Sequence, residues 1–464
     1  MRRLTILGIL ALLVCALAAG LMMIRMERSA PETVPAAPET AYRMLYTRLQ
    51  QDFAAMTVTL ASGEAYTVES SLGFDEHGNL LGVYNSLGQP VTVVGQTDFA
   101  LDRISYQMMM LTAVNLPVTA TYPSLDPAAC GLASPAARLE ITYHTGDPIV
   151  LTIGQPAASG YACYVQMAGD SSVHLAPIDF YQVMTRPLKE HHRLPGAIGN
   201  PVSAAVQIAI VRPGERNFIA TNYGGESRIL PWMVDQPYVH AGSTERIQDF
   251  VEAVSAIRAD GYEDTVTTAE ELVTYGLDRP TRLLVAFGDG TIRDIHLGGD
   301  AGDGTVYARL DTSGDVYRVS ANQLPALDQA GVDALLDRFV ALISTAEVSA
   351  VAIAAGEDAW LMEIISDHDG NSYRINGQSM PVKAFSQVYA AIVGMQFDKT
   401  AEGQPAGEKY CEVRFQHVDG SISAVSYYAY DQHYVQAATG GGGQFLLRRE
   451  RLENMLATLQ EATK

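Results

Sequence analysis

Two glycine-rich runs, residues 298–304 and 440–443, are the first segments of this chain whose composition could bind phosphate. Backbone N–H groups in such loops can surround a phosphate group, but a phosphate-binding loop also ends in a lysine followed by a serine or threonine. Neither run ends in that pair. Both lie between segments with the residue pattern of strands, so we predict two hairpin turns and no phosphate cofactor.

Two further clusters contain residue types that bind metal ions. Residues 367–371 resemble the start of a calcium loop, but counting twelve positions from Asp367 reaches Gln378, where a bidentate glutamate is required. Glu190-His191-His192-Arg193 contains adjacent histidines, which point in different directions on a helix or a strand. We therefore predict a tight turn and a pair of surface histidines, and no metal site.

Nucleophile chemistry has little support in the sequence. Serine signatures of the G-x-S-x-G type are absent, and the four cysteines form neither a CxxC pair nor a cluster with zinc spacing. Cys130 and Cys163 could form a disulfide, or they could be buried as small apolar residues together with Cys411. The sequence therefore predicts no catalytic residue, no cofactor and no enzymatic activity.

An aromatic cluster near the C-terminus is the one candidate for ligand binding. Tyrosine is favoured both in strands and at interfaces, so two interpretations stay open, ordinary sheet packing and a ligand-stacking surface. The residues concerned are Tyr427, Tyr428, Tyr430 and Tyr434.

The N-terminal segment predicts on which side of a membrane the rest of the chain lies. Two arginines precede an uncharged apolar run over residues 4–24, which is long enough to cross a hydrocarbon layer of about 30 Å as a helix. Small residues at positions 16 and 18 allow the alternative of a cleaved signal peptide. Because the apolar run continues past that point, we predict an uncleaved transmembrane anchor over residues 1–28. The remainder is expected outside the cytoplasm, although the flanking basic residues favour this orientation only slightly.

Composition narrows the range of partners. The net charge of −21 repels nucleic acid and anionic lipid surfaces, so neither is an expected partner. Three prolines among small residues 29–40 indicate an extended stalk, and the apolar spacing of Tyr42, Leu45, Leu49, Phe53 and Met56 predicts a helix that links the stalk to the first domain. Residues 29–56 are therefore assigned to stalk and linking helix.

The elements that must position all these residues are repeated along the chain. The phrase at 275–280, Tyr-Gly-Leu-Asp-Arg-Pro, has an earlier counterpart at 130–135, Cys-Gly-Leu-Ala-Ser-Pro. The same sequence separation relates Gly131 to Gly276 and Pro135 to Pro280, which indicates internal duplication. A fainter third copy without the phrase follows near the C-terminus.

Each copy shows the same succession of patterns: about three strands, a helix, four strands and a closing helix. In the second copy Ser243 is predicted to cap the leading helix, and the closing helix is predicted from Val332, Leu335, Leu336 and Phe339. Hairpins interleaved with isolated helices indicate an α+β fold with mainly antiparallel sheets. We therefore predict three diverged repeats with flanking helices after one N-terminal transmembrane helix, at residues 57–200, 201–345 and 346–464.

The second copy resembles a known family. The phrase at 275–280, the hairpin after it, and the aromatic strands at 306–309 and 316–319 are similar to those of the bacterial family catalogued as domain of unknown function 4340. The resemblance implies one N-terminal span, repeated copies of this unit and a place in the cell envelope, sometimes beside transporters of the gliding-motility auxiliary type. It implies no catalytic residues.

Two hypotheses of function follow. The first is a non-enzymatic, single-pass envelope protein that acts as a scaffold or accessory subunit, bound to the membrane through its N-terminal helix and to an envelope protein partner. The alternative is an extracytoplasmic module that binds cell-wall polymer or peptide.

Overall fold

The computed structural model describes residues 43–197, 204–224, 230–367 and 370–464. Of these residues 43% lie in strands and 21% in helices, and all strand pairing is antiparallel, in five sheets. The predicted α+β class is therefore wrong, and the described part of the chain is mainly β. The span expected over residues 4–24 lies outside the described residues, and no helix within them is long and apolar enough to cross a membrane.

The chain divides into two compact units, Met1–Arg193 and Leu194–Lys464. The first unit contains an eight-stranded sheet, ordered β6-β3-β2-β9-β10-β11-β12-β8, and two small sheets, β1-β7 and β4-β5. Its helices are α1 (Arg103–Val114) and α2 (Ile178–Met184). Its strands are β1 Arg43–Thr47, β2 Phe53–Leu60, β3 Ala65–Ser70, β4 Leu72–Phe74, β5 Leu80–Val83, β6 Val91–Val93, β7 Asn115–Val118, β8 Ala120–Tyr122, β9 Ala137–Tyr143, β10 Ile149–Pro156, β11 Ala162–Met167 and β12 Val173–Pro177.

The second unit begins with a nine-stranded sheet, ordered β16-β15-β14-β13-β18-β19-β20-β21-β17. Its helices are α3 (Thr244–Ala256), α4 (Ala269–Thr274) and α5 (Gln329–Asp333). Its strands are β13 Ala205–Val211, β14 Phe218–Asn222, β15 Trp232–Gln236, β16 His240–Ala241, β17 Gly261–Thr265, β18 Thr281–Phe287, β19 Ile292–Gly302, β20 Thr305–Arg309 and β21 Asp315–Ser320.

A second nine-stranded sheet completes this unit, ordered β25-β24-β23-β22-β27-β28-β29-β30-β26. Its helices are α6 (Val382–Val393) and α7 (Arg449–Ala462). Its strands are β22 Val348–Ala355, β23 Asp358–Asp367, β24 Gly370–Ile375, β25 Gln378–Ser379, β26 Lys399–Thr400, β27 Lys409–His417, β28 Ile422–Ala429, β29 Tyr434–Thr439 and β30 Gln444–Arg448.

The three large sheets, which we number first (β2 to β12), second (β13 to β21) and third (β22 to β30) in chain order, are built in the same way. In each, an early strand pairs at the sheet centre with a strand from the second half of the copy, as β2 does with β9, β13 with β18 and β22 with β27. Alternate residues of these central strands are buried, which is the period of a sheet with one face turned to a core. The leading helices α1, α3 and α6 contact the sheets and cover these cores.

Two predicted helices are not formed. The linking helix expected over residues 42–56 is replaced by β1 and the start of β2, because Phe53 and Met56 are buried as members of the first sheet. The closing helix of the second copy ends at Asp333, and Leu336 and Phe339 instead form bridges with Gly242 and Gln396. Apolar spacing over so few residues fits either structure, and long-range pairing decides between them.

The repeated phrase is a turn that packs against a second glycine. Gly131 and Gly276 have φ values of 73° and 65°, a left-handed conformation that favours glycine. A Cβ atom on Gly154 of β10 would lie 2.1 Å from the Cys130 carbonyl oxygen, and one on Gly298 of β19 would lie 2.2 Å from that of Tyr275. The phrase therefore requires glycine at two places, in the turn and in the strand beneath it.

Candidate functional site

The first unit contains a hydrogen-bonded series of four polar side chains, of which Tyr66, Ser105 and His191 are buried and Asp102 is half-buried. Asp102 and Ser105 lie at the start of α1, Tyr66 lies on β3, and His191 ends a short 3-10 helix, Leu188–His191. Asp102 is the N-cap of α1 and accepts a hydrogen bond from the Ser105 backbone N–H. The backbone N–H of Asp102 in turn donates to the His191 carbonyl oxygen at 2.7 Å, so the C-terminal end of the unit is fastened to the helix start.

In this series of four side chains each residue donates a hydrogen bond to the next one. Ser105 Oγ donates to Asp102 Oδ2 and lies 2.7 Å from His191 Nδ1, so Nδ1 must carry the proton in that contact. His191 Nε2 then has the lone pair, and the Tyr66 hydroxyl donates to it at 2.8 Å. Tyr66, His191 and Ser105 thus form a donor chain that ends on the carboxylate of Asp102.

This arrangement is unsuited to nucleophilic catalysis. A catalytic serine donates its proton to the imidazole, whereas Ser105 donates to a carboxylate. His191 and Ser105 are fully buried, so no substrate reaches them. Burial lowers the pKa of His191 to about 4 and keeps the ring neutral. The prediction of surface histidines is wrong, because the side chains of His191 and His192 are only 0% and 3% exposed.

The second unit contains a cavity of about 940 Å³, which we call the inter-sheet cavity because both nine-stranded sheets contribute to it. Its walls are mostly apolar, and its volume suits a bound ligand or a short segment of a partner. The residues that line it come from β15 and β16, the connection 339–347, the β27–β28 hairpin and the β29–β30 turn; they include Met233, Val239, His240, Phe339, Leu342, Ile343, Phe415, Val425 and Thr439.

The hairpin of β15 and β16 forms one side of the cavity. Tyr238 and His240 pack against Phe445 of β30 with ring centroids 5.7 Å and 4.7 Å apart. Val239 donates its backbone N–H to the Gly441 carbonyl oxygen at 3.1 Å, and a Cβ atom on Gly441 would lie 2.5 Å from the Val239 carbonyl oxygen. This close contact joins the two sheets. It also gives the predicted glycine-rich turn at 440–443 a packing role.

The polar side chains in the cavity already have partners within the chain. His240 Nε2 donates to the Asp337 carbonyl oxygen at 2.9 Å, and burial lowers the pKa of His240. Ser423 Oγ lies 2.8 Å from His417 Nε2. Glu347 accepts from the Ser344 backbone N–H in a capping box. Little side-chain hydrogen-bonding capacity therefore remains for a ligand.

The connection at 341–343 differs in this respect. These three residues line the cavity, and no described residue accepts a hydrogen bond from their backbone N–H groups. The carbonyl oxygens of Ala341 and Leu342 likewise accept none from the described part of the chain. Main-chain donors and acceptors are therefore the available polar groups of this wall.

The rim of the cavity is apolar and open to solvent. Val239, Val418 and Ile422 are 54%, 68% and 70% exposed, and all three line the cavity. Asp419 stands between the last two, and hydrogen bonds from Ser421 lower the pKa of its carboxyl group. Both bonds reach Oδ1, so Oδ2 of an ionised carboxylate has no partner among the described residues.

The four tyrosines proposed as a stacking surface do not share one face. Tyr427 is buried in the core of the third sheet, and burial raises the pKa of its hydroxyl. Tyr428 follows it on β28 and therefore points to the opposite face. Tyr430 is exposed, and Tyr434 lies beneath the Lys399 ammonium group at 5.9 Å. The stacking surface stays a prediction for Tyr428, Tyr430 and Tyr434.

The remaining candidates have structural positions. Cys130, Cys163 and Cys411 are free and buried, and burial raises the pKa of the Cys163 and Cys411 thiols to about 12. Within the described residues no group of histidine, cysteine and acidic side chains could hold a metal ion. Part of the calcium-like segment, residues 368–369, lies outside the described residues.

Sequence reasoning missed the inter-sheet cavity because its walls come from four separate segments. One local signal was available, since Val418 and Ile422 are apolar residues on either side of an Asp-Gly turn. Phe339, the first residue of the apolar run at 339–343, is instead predicted as the last apolar residue of the closing helix.

Comparison with the curated proteins and with the solved structures finds no match. A family model matches residues 232–412, which run from the first residue of β15 into β27. The range includes the phrase at 275–280 and strands β20 and β21, on which the family resemblance rests. The matching model is that of the family described as "Domain of unknown function (DUF4340)", which confirms the family that the sequence resembles.

Proposed function

We propose that this protein is a non-enzymatic, membrane-anchored envelope protein that acts as a scaffold or accessory subunit by holding a partner protein at the inter-sheet cavity. The observation that carries the proposal is the apolar rim formed by Val239, Val418 and Ile422 beside an apolar cavity. A contiguous exposed apolar surface is costly in water and is typical of an interaction site. The family resemblance makes a transporter subunit the partner class that we expect first.

The N-terminal sequence supports the anchored part of the proposal. An apolar run at 4–24 and a proline-rich stretch at 29–40 would hold the folded units at a distance from the bilayer. The acidic net charge of −21 suits domains that avoid the anionic membrane surface and meet a partner instead.

The test compares two isoleucines with similar exposure. Ile422→Asp places a charge on the cavity rim, whereas Ile292→Asp places it on β19, and Ile292 is 61% exposed and outside the cavity. Tagged full-length chains are recovered from native membranes, and bound proteins are quantified by mass spectrometry. We expect a stoichiometric partner with the wild type and with Ile292→Asp, and roughly tenfold less of it with Ile422→Asp.

Tryptophan fluorescence controls for folding, because both tryptophans of the chain, Trp232 and Trp360, are buried in the second unit. The proposal is overturned if no stoichiometric partner is recovered, or if a correctly folded Ile422→Asp chain retains it in full.

A further inference from the structure

We infer that the inter-sheet cavity binds an extended, mainly apolar peptide segment with a lysine or arginine placed near Asp419, an inference that rests on the proposed function of partner binding. The main chain at 341–343 would pair with the backbone of this segment, and the apolar walls would accept its side chains. Asp419 would receive the cationic group.

The unpaired main chain is the first argument for a peptide. Ala341, Leu342 and Ile343 line the cavity, and their backbone N–H groups donate to no described residue. Two carbonyl oxygens of the same segment are also free of partners in the described chain. A ligand that offers alternating acceptors and donors at main-chain spacing satisfies both sets, as a peptide does when it adds to an exposed backbone edge.

The engaged side chains argue against a sugar polymer as the occupant. Hydroxyl-rich ligands need several free side-chain donors and acceptors, and a cavity fixes such ligands by convergent polar groups. Here His417 and Ser423 bond to each other, Glu347 caps a helical turn, and Thr439 accepts from the Gly443 backbone N–H. The remaining surface is apolar, so the side chains of the occupant must be largely apolar as well.

The charge of Asp419 favours a basic side chain in the peptide. Asp419 is ionised and exposed at the rim, with one carboxylate oxygen free of partners among the described residues. A lysine or arginine of the occupant can reach this oxygen, whereas an acidic residue would be repelled. The net charge of −21 acts in the same direction at long range.

The experiment selects binders from a display library of short random peptides against the full-length chain in nanodiscs, with the Ile422→Asp chain as counter-selection. We expect enriched peptides to be apolar with one basic residue. A synthetic copy should bind the wild-type chain and lose roughly tenfold in affinity toward Ile422→Asp.

Two further measurements separate backbone recognition from unspecific adhesion. Replacing two central amides of the peptide by esters keeps its side chains but weakens its carbonyl acceptors and removes N–H donors, and we expect about tenfold weaker binding. Asp419→Asn should weaken binding of the basic peptide about fivefold, and should leave unchanged a peptide in which norleucine replaces the basic residue. Asp431→Asn, at an exposed acidic turn residue outside the cavity, is the matched control.

Equal binding of the ester and amide peptides overturns the inference, as does failure to enrich any peptide over the Ile422→Asp chain. If the membrane pull-down still recovers a partner, and Ile422→Asp strongly reduces its recovery, then partner binding stands and only the peptide mode of recognition fails.

Discussion

The first and second sheets fasten their leading helices by the same backbone bond but surround it with different side chains. Asp102 N–H donates to the His191 carbonyl oxygen at 2.7 Å, and Ser243 N–H donates to that of Leu335 at 2.8 Å. In both sheets the adjacent residues also form an antiparallel bridge, Leu101 with His192 in the first and Gly242 with Leu336 in the second. His191 of the first sheet therefore corresponds to Leu335 of the second.

Strand register extends this correspondence to the tyrosine. Val58 pairs with both Tyr66 and Leu139, and in the second sheet Ile210 pairs with both Phe218 and Leu283. Tyr66 thus corresponds to Phe218. A buried Tyr–His pair in one copy is replaced by Phe and Leu in the other.

The comparison shows that the fold itself does not require the polar chain. Burying polar groups is costly unless each finds a partner, and an apolar pair at the same positions avoids that cost. The first sheet has a hydrogen-bonded polar version, which makes its stability depend on the protonation state of His191. The second sheet has no titratable group at that position.

The third sheet differs at the glycine beneath the phrase. Leu139, Leu283 and Val413 pair with Leu151, Ile295 and Val425, and three residues later these strands carry Gly154, Gly298 and Tyr428. In the other two copies a side chain at this position would meet the backbone of the phrase. The third copy therefore lacks both the phrase and the glycine beneath it.

The largest effect is expected from filling this place in the second sheet. Gly298→Ala puts a Cβ atom 2.2 Å from the Tyr275 carbonyl oxygen, a backbone atom that cannot move aside, and should lower the free energy of unfolding by about 3 kcal/mol or more. Gly299→Ala is the matched control, because its Cβ atom would lie an ordinary 3.5 Å from the same oxygen.

Urea unfolding followed by tryptophan fluorescence measures this difference, since both tryptophans lie in the second unit. If the two alanine variants were equally stable, the phrase and the strand beneath it would not be in the contact described.

A second test uses pH to separate the polar chain from its apolar counterpart. His191 is neutral in the folded state with a pKa of about 4, whereas an unfolded histidine has a pKa of about 6.5. Between these values the unfolded state binds more protons, so the first unit should lose stability as the pH falls from about 6.5 to 4, by on the order of 3 kcal/mol.

His191→Leu, which introduces the residue of the second sheet, should remove this part of the pH dependence, whereas His77→Leu at an exposed site should leave it. Urea unfolding followed by circular dichroism at several pH values measures the slopes. An unchanged slope in His191→Leu would contradict a buried neutral imidazole.

A smaller effect is expected from the tyrosine hydroxyl. Tyr66→Phe removes the donor to His191 Nε2 and leaves a buried acceptor unpaired, at a cost of roughly 1–2 kcal/mol. In a chain that already carries His191→Leu, the same substitution should cost about 1 kcal/mol less, because the acceptor is gone. A double-mutant cycle by urea unfolding at neutral pH gives the coupling energy, and additive costs would show that the contact contributes nothing.

These features differ in how far the sequence could predict them. The helices α1, α3, α6 and α7 follow from apolar spacing, and the Asp-Gly segments and the glycine-rich run at 440–443 do form turns. The predicted turn at 298–304 is wrong for most of its length, because residues 298–302 continue strand β19 and only 303–304 form the turn. The segment at 42–56 was misassigned because its few apolar residues fit a helix as well as two strands. The buried chain joins residues 66, 105 and 191, and the inter-sheet cavity joins segments even further apart, so both depend on pairings that no local pattern contains.

The smallest single effect is expected at the N-cap of α3, and comparing it with the N-cap of α1 compares the two helix starts directly. Ser243 Oγ accepts only a long bond of 3.4 Å from the Arg246 backbone N–H, so Ser243→Ala should cost about 0.5–1 kcal/mol in the tryptophan-detected transition. Asp102→Ala removes both its cap bond at 3.0 Å and the carboxylate on which the donor chain of Ser105 and His191 ends. Its cost should therefore exceed that of Ser243→Ala by at least about 1 kcal/mol. Equal costs for the two caps, measured by urea unfolding at neutral pH, would mean that the polar chain adds nothing to the fastening that the second sheet achieves without it.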